Sequence, residues 1–245
     1  WANSHSPAWS PVEFTDNSPM DLFFQSAGEL SGIFKSLGIG LDVSQLSAGS
    51  LRGRFQLTGS AVLPLMSIKT DQMLVCQGDR RPGFLPFSIN TRGDHPLVRG
   101  EEVSPLSIHG FQSSLKDSYF VLQPGSEIQV AVVCKQRFQR LAVATNEQRA
   151  LDRINSVNSA AVTPEQFQRL VELTKPQLHD PIQAELIEAE LLELLSDRRL
   201  SQLNGGDLSH RAGLMKDLIA WGQGNPTEVI SLEDLTTTIF ASRSS

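Results

Sequence analysis

The chain has 245 residues, enough for one large domain or two ordinary ones with a substantial core. Hydrophobic residues at 40% against 20% charged exclude a disordered chain, and no apolar run nears the roughly 20 residues a membrane-spanning helix needs. A net charge of −6 excludes a strong nucleic-acid binder acting by itself, because neutralising phosphates takes clustered Lys and Arg.

Residues 1–18 are rich in Pro, Ser and Asn and read as a loose leading segment. From Pro19 to Gly38, Leu22, Phe23, Ser26, Leu30, Ile33 and Phe34 lie near helical spacing, which predicts one helix or two short ones ended by Gly38 or Gly40. Residues 1–40 are therefore expected to form an N-terminal segment with a short helix. The texture then changes. Between 41 and 138, runs rich in Val, Ile, Leu and Phe alternate with turn residues every eight to twelve positions: "SLRGRFQLTG", "AVLPLMSIKT", "MLVCQG", "GFLPFSIN", "PLVRGEEV", "LSIHGFQ", "SYFVLQP" and "SEIQVAVVCK". That rhythm predicts a β-sandwich or barrel. Gln123-Pro124-Gly125-Ser126 is a β-turn candidate, and Thr91 to Asp94 another.

Past Phe138 the pattern turns helical. Thr163 is an N-cap candidate with Pro164 at the first helical position and Gln166 placed for a capping box, and Pro176 ends this helix. Asp180 and Pro181 repeat the device for a helix over 180–200, where Glu185, Glu188, Glu190 and Glu193 precede Arg198 and Arg199 in the order the helix dipole favours. Asn204-Gly205-Gly206-Asp207 is a flexible joint, followed by a helix over 208–226 with Leu214, Leu218 and Trp221 on one face. Ser231 is an N-cap for a further helix with Leu232, Leu235 and Ile239 on its apolar side. Ser242 would cap another, with Arg243 at its start. The fold class expected is α+β: a β-domain, linker helices, and the opening of a helical domain.

Few constellations carry chemistry. A metal site needs three or four converging N/O ligands. His95 and His109 stand singly, no His-x-His pair exists, and adjacent Glu101 and Glu102 would point to opposite faces of a strand. No metal and no cofactor are expected. Gly38-Ile-Gly40 lacks the rest of a dinucleotide fingerprint, and no Gly-x-Ser-x-Gly elbow occurs. Cys76 and Cys134 lie in apolar runs; they make neither a disulfide framework nor a metal spacing, and predict a reducing, cytoplasmic setting, with a redox pair as the alternative. Arg80 and Arg81 in "GDRRPG" are a candidate anion site through bidentate contacts, or else a solvated hairpin tip. Arg52 and Arg54 share one strand face, which is either solvent or the mouth of a barrel, and complete the ligand-binding candidates.

The stretch 210–245, "HRAGLMKDLIAWGQGNPTEVISLEDLTTTIFASRSS", resembles the start of the DNA-binding domain of AraC/XylS-type bacterial transcription regulators. There a first helix leads through an Asn-Pro loop, here Asn225-Pro226, to a helix opening Ser-Leu-x-x-Leu, here Ser231 to Leu235, and then to a recognition helix, here Ser242-Arg243. "QLSAGSLRGRF" (45–55) resembles the opening of the sensor domain in the branch with ethanolamine-responsive regulators. The resemblance implies a cupin-like β-barrel or sandwich at 41–138, a helical linker and dimerisation region at 139–204, and an incomplete helix-turn-helix domain at 205–245. It implies Ser242 and Arg243 as DNA-contacting residues, and DNA binding by a longer protein of which this chain, starting at Trp1, is a piece.

The helix over 181–200 has one line of Ile182, Leu186, Ala189 and Glu193 and another of Ile187, Leu191, Leu194 and Leu195. That apolar surface is wider than one neighbour needs. Packing on the β-domain explains it, as does a homodimer seam through Ile187, Leu191, Leu194 and Leu195, which two-fold symmetric DNA sites would require. The function expected is the signal-sensing and dimerisation region of such a regulator, answering to a small molecule or a protein effector, with no enzymatic activity and no membrane partner. The rival is a cupin-like binding protein or enzyme with a helical tail.

Overall fold

The structure is a computed structural model that describes residues 19–60, 62–93, 97–99, 101–102, 104–175 and 181–197. The expectations placed on His95, Asp180, Arg198, Arg199, Ser242 and Arg243 lie outside these residues.

The elements in chain order are β1 (Met20–Phe24), α1 (Ala27–Ser36), β2 (Gly40–Gln45), β3 (Gly53–Gly59), β4 (Pro64–Thr70), β5 (Leu74–Asp79) and β6 (Phe84–Arg92). There follow β7 (Leu97–Val98), β8 (Glu101–Glu102), β9 (Ser107–His109), β10 (Asp117–Leu122) and β11 (Glu127–Cys134). The chain continues with α2 (Lys135–Ala144), α3 (Gln148–Ser156), β12 (Ser159–Ala161), α4 (Pro164–Thr174) and α5 (Pro181–Ser196). The strands form a seven-stranded sheet in the order β1-β3-β4-β11-β6-β9-β12 and a five-stranded sheet in the order β2-β5-β10-β7-β8. The described pairings are antiparallel. The class is α+β, and among the described residues neither sheet closes on itself.

The central strands of the larger sheet are buried on both faces, which is why they read as apolar runs and not as an alternation. Successive side chains point to opposite faces. On β11, Ile128 and Val130 face the smaller sheet with Phe55, Ile68, Cys76 and Leu122. Ala131 and Val133 face the other way, into a core shared with Leu65, Leu85, Phe87 and helices α2 to α5. Phe87 anchors that second core, stacked on Phe111 at 5.3 Å and tilted to Phe138 at 5.8 Å between ring centroids. The inter-sheet core extends under α1 through Leu30 and Phe34.

Several elements follow directly from local chemistry. At α4 the capping box forms: Thr163 N donates to Gln166 Oε1 at 2.9 Å and Gln166 N donates to Thr163 Oγ1 at 3.2 Å. Ser126 N donates to Gln123 O at 3.1 Å and Gly125 takes φ 76°, so the Pro-Gly turn is of the type that needs a left-handed third residue. Gly53 permits a close approach: a Cβ there would lie 1.9 Å from the Phe24 ring.

Other elements depart from the pattern. The helix expected from residue 19 is a strand, β1, paired with β3, and the helix begins only after Ser26, whose Oγ accepts from Glu29 N at 3.2 Å. "GDRRPG" is not a hairpin tip, because β5 and β6 belong to different sheets and the segment crosses between them. The region after residue 138 is not purely helical, since β12 adds to the edge of the larger sheet beside β9.

Candidate functional site

Between the two sheets lies a cavity of about 130 Å³. A space of about 150 Å³ lined by apolar side chains accommodates one benzene, so this is room for a small organic molecule. Its walls follow from period two. Met66 and Ile68 of β4 and Ile128 and Val130 of β11 line it because their chain neighbours face the helices. Phe34 of α1 and Leu41 of β2 add to the same apolar side.

Polar groups enter on the other side. His109 of β9 stands opposite Ser88 of β6, and both line the cavity, while Ile108 and Ile89 beside them turn to the helix-covered face. His109 is only 3% exposed, and neither ring nitrogen has a hydrogen-bond partner. Burial pushes its pKa down from 6.5 to about 4, so the ring is neutral at physiological pH. His109 is thus neither a surface histidine nor one hydrogen-bonded within the protein.

Arg80 lies in the crossing segment and is held in place by the protein. Its Nε donates to Asp117 O at 3.0 Å, one terminal nitrogen to Gln112 O at 2.9 Å and the other to Asn158 Oδ1 at 3.5 Å. Asn158 also accepts from Gln112 N at 3.3 Å through Oδ1 and from Gly110 N at 2.8 Å through its carbonyl, which ties the arginine to the segment just after His109. Burial lowers the Arg80 pKa to about 10; the neighbouring Arg99 charge adds to this and Asp117 opposes it. Arg99 follows β7 with φ 55°, a left-handed conformation uncommon for such a side chain. It donates to Asp117 Oδ1 at 3.1 Å, and its Nε is buried without a partner. Arg81 lies over the Phe84 ring at 4.6 Å, and both line the cavity. The lining thus carries three arginines against one aspartate, Asp79.

The structure separates the two arginine pairs. Arg80 and Arg81 line the cavity; Arg52 and Arg54 do not. Leu51 and Phe55 take the inward positions around β3, so Arg52 and Arg54 point outward and are exposed. Arg54 makes a bidentate pair with Asp21 at 2.8 and 2.5 Å and lies over the exposed Phe23 ring. Sequence reasoning missed Arg99, for which a lone arginine in "PLVRGEEV" gives no signal.

On α5, Ile187, Leu191, Leu194 and Leu195 are at most 1% exposed and belong to the core shared with α2, α3, α4 and the larger sheet. The face offered as a seam is thus covered by the chain's own elements. Its neighbours Glu188 and Glu190 are buried too, paired with Arg137 Nε and Arg169 Nε, each at 2.7 Å. The exposed side of the helix presents Glu185, Leu186, Ala189 and Glu193. Cys76 is fully buried in β5, where burial pushes its thiol above the usual range, and Cys134 is half-buried at the end of β11; both are free. Among the described residues, no three His, Cys, Asp or Glu side chains group as a metal site. Nor does any described helix have the length and apolar character to cross a membrane.

No protein-family model matches the chain, and no curated protein does. Among solved structures, the AraC-like transcriptional activator CuxR is similar over 88% of this chain and 83% of its own, at 9% identity and a TM-score of 0.49.

Proposed function

We infer that the described residues form the effector-sensing part of an AraC/XylS-type transcription regulator, and that the cavity between the sheets is its effector site. The observation that carries this reading is the cavity itself. A sensor answering to a protein would have no need of an internal space lined by a graded set of apolar and polar side chains. The resemblances at 45–55 and 210–245 supply the regulatory context. The chain acts in the cytoplasm, with DNA contact made through Ser242, Arg243 and further residues of a complete protein. The mechanism is linkage: an effector shifts the docking of the DNA-binding arms only by as much as its affinities for the two states differ. A homodimer belongs to this reading, because symmetric operators mirror a two-fold protein. Its seam has to lie elsewhere than at Leu191 and Leu194, and the exposed line with Leu186 is the face of α5 left for it.

The test uses the protein with both helix-turn-helix units and a reporter under its promoter. Val130→Phe places a ring in the cavity from the middle of β11. It is expected to abolish the response to inducing conditions while promoter binding without effector persists in a gel shift. An unchanged response in that variant overturns the cavity as effector site.

A further inference from the structure

The inference concerns the ligand's chemistry and rests on the cavity being the effector site. Polarity in the cavity is graded along the strand order. In the larger sheet the lining passes from Met66 and Ile68 on β4, through Val130 on β11, to Ser88 on β6 and His109 on β9. In the smaller sheet it passes from Leu41 on β2, past Asp79 at the end of β5 and Phe120 on β10, to Arg99 beyond β7. The Arg80 guanidinium is fastened at the same polar side by Gln112 and Asn158. One side is hydrocarbon, and the other gathers two guanidiniums, an imidazole and a hydroxyl.

That polar side is under-satisfied in a particular way. Asp117 is the carboxylate that offsets the Arg80 charge and pairs with Arg99; with Arg81 and Asp79 of the lining counted, three positive charges face two negative ones. Arg80 has five N–H donors, of which three are engaged. The Arg99 Nε and both His109 nitrogens are buried with no partner in the protein. Buried donors left unpaired are costly, and buried charges are normally paired. A group that brings one negative charge and several acceptor lone pairs answers all of these at once. A cation would be repelled by both arginines, and a neutral head would leave the excess charge unmatched.

We propose that the cavity binds a small organic monoanion, a carboxylate of roughly six carbons in all, with its head between Arg80, Arg99 and His109 and its body against Met66, Ile68 and Val130. The carboxylate accepts from the guanidiniums in charge-assisted hydrogen bonds, and His109, neutral, donates one N–H to it. An amino-alcohol cation of the ethanolamine type is excluded by the same charges.

The experiment titrates the purified 245-residue chain by calorimetry with three compounds that share a body and differ in head: hexanoate, hexanamide and hexylammonium. Hexanoate is expected to bind at least about 100-fold more tightly than hexylammonium, and about 10-fold more tightly than hexanamide. Arg99→Gln is chosen because Arg80 also holds three main-chain and side-chain contacts. It should weaken the carboxylate about 10- to 100-fold and leave hexanamide within about threefold. Equal binding of the three heads, or loss of all three alike in Arg99→Gln with its thermal unfolding unchanged, overturns the anion proposal but leaves an occupied cavity. No binding of hexanoate up to roughly 10 mM also overturns it. In that case the Val130→Phe reporter result still decides whether the cavity is an effector site.

Discussion

Replacing His109 by phenylalanine should make the protein more stable, and increasingly so as the pH falls. At pH 8 the gain comes from removing two buried nitrogens that have no partner, about 1–2 kcal/mol for a ring of similar shape. The pH dependence follows from linkage. The folded-state pKa of His109 is depressed to about 4, while the unfolded ring keeps its value near 6.5. Below pH 6.5 the unfolded state therefore binds a proton that the folded state does not, and wild-type stability falls until the folded pKa is passed. At pH 5 the difference amounts to about 2 kcal/mol, rising to about 3 kcal/mol well below pH 4. Arg80, Arg81, Arg99 and Asp79 line the same cavity, and Asp117 sits behind Arg99. Burial is the cause of the depression. Glu188 and Glu190 act oppositely: burial raises both above the usual carboxylate range, despite their arginine partners, so they lose stability as pH rises through their folded values. The assay is urea denaturation of wild type and His109→Phe at pH 8 and pH 5, read as the difference between the two proteins so that shared carboxylate effects cancel. The gap should widen by about 2 kcal/mol between the two pH values. A constant gap refutes the reasoning, because it means that the ring takes up its proton equally in the folded and unfolded states. The same variant should bind hexanoate less tightly, since its ring offers no donor.

Two further outcomes follow from the helices behind the larger sheet. Arg137→Ala leaves the Glu188 carboxylate, 2% exposed, without its cation and should cost about 2–3 kcal/mol, whereas adding Glu188→Gln to it should recover most of that loss; equal stabilities of Arg137→Ala and the double variant in chemical denaturation refute the pairing. Leu191→Asp together with Leu194→Asp should unfold the chain, because both side chains are inside the core, while Leu186→Asp should keep the wild-type circular dichroism and, if the exposed line is the dimer seam, halve the mass in light scattering. A folded monomer from the Leu191 and Leu194 pair would refute the packing of α5.

What was legible in the sequence divides along physical lines. Strands β3, β4, β9 and β11 lie within the apolar runs that announce them and β6 and β10 overlap theirs, because strands in a core leave period-two or continuous apolar signatures. The α4 cap is legible because Thr163, Pro164 and Gln166 act on their own backbone. β1 is not, because Leu22 and Phe23 also fit a helical spacing and only pairing with β3 decides for a strand. β12 is three residues long and exists by virtue of β9 alone. The width of the apolar surface on α5 was legible, but its meaning was not. One turn of sequence cannot say whether the neighbour is the same chain or a copy, and the burial of Glu188 and Glu190 beside the leucines settles that this side faces inward.

The candidate site shows the same division more sharply. Arg80 and Arg81 stood out as a pair, yet only Arg80 is built into the polar side of the cavity by Gln112, Asn158 and Asp117, residues 32 to 78 positions away. Arg52 and Arg54 looked equivalent to that pair and are not, since period two in β3 commits Phe55 to the core and sends them outward. His109 was a lone histidine, for which burial or exposure cannot be read from neighbours when Ile108 and Gly110 suit either. Its place is fixed by the register Ser88↔His109, a long-range fact. Arg99 carried no pattern at all. A site assembled from the crossing segment, the residue just past a two-residue strand and the last residue of a three-residue one has no local signature, because none of its members is shaped by the residues beside it. What could have pointed to it is the chemistry of the whole: an apolar sandwich core that nevertheless has to accommodate Arg80, Arg99 and His109 must either pair them internally or offer them to a ligand, and Asp79 and Asp117 supply two negative charges where Arg80, Arg81 and Arg99 bring three positive ones.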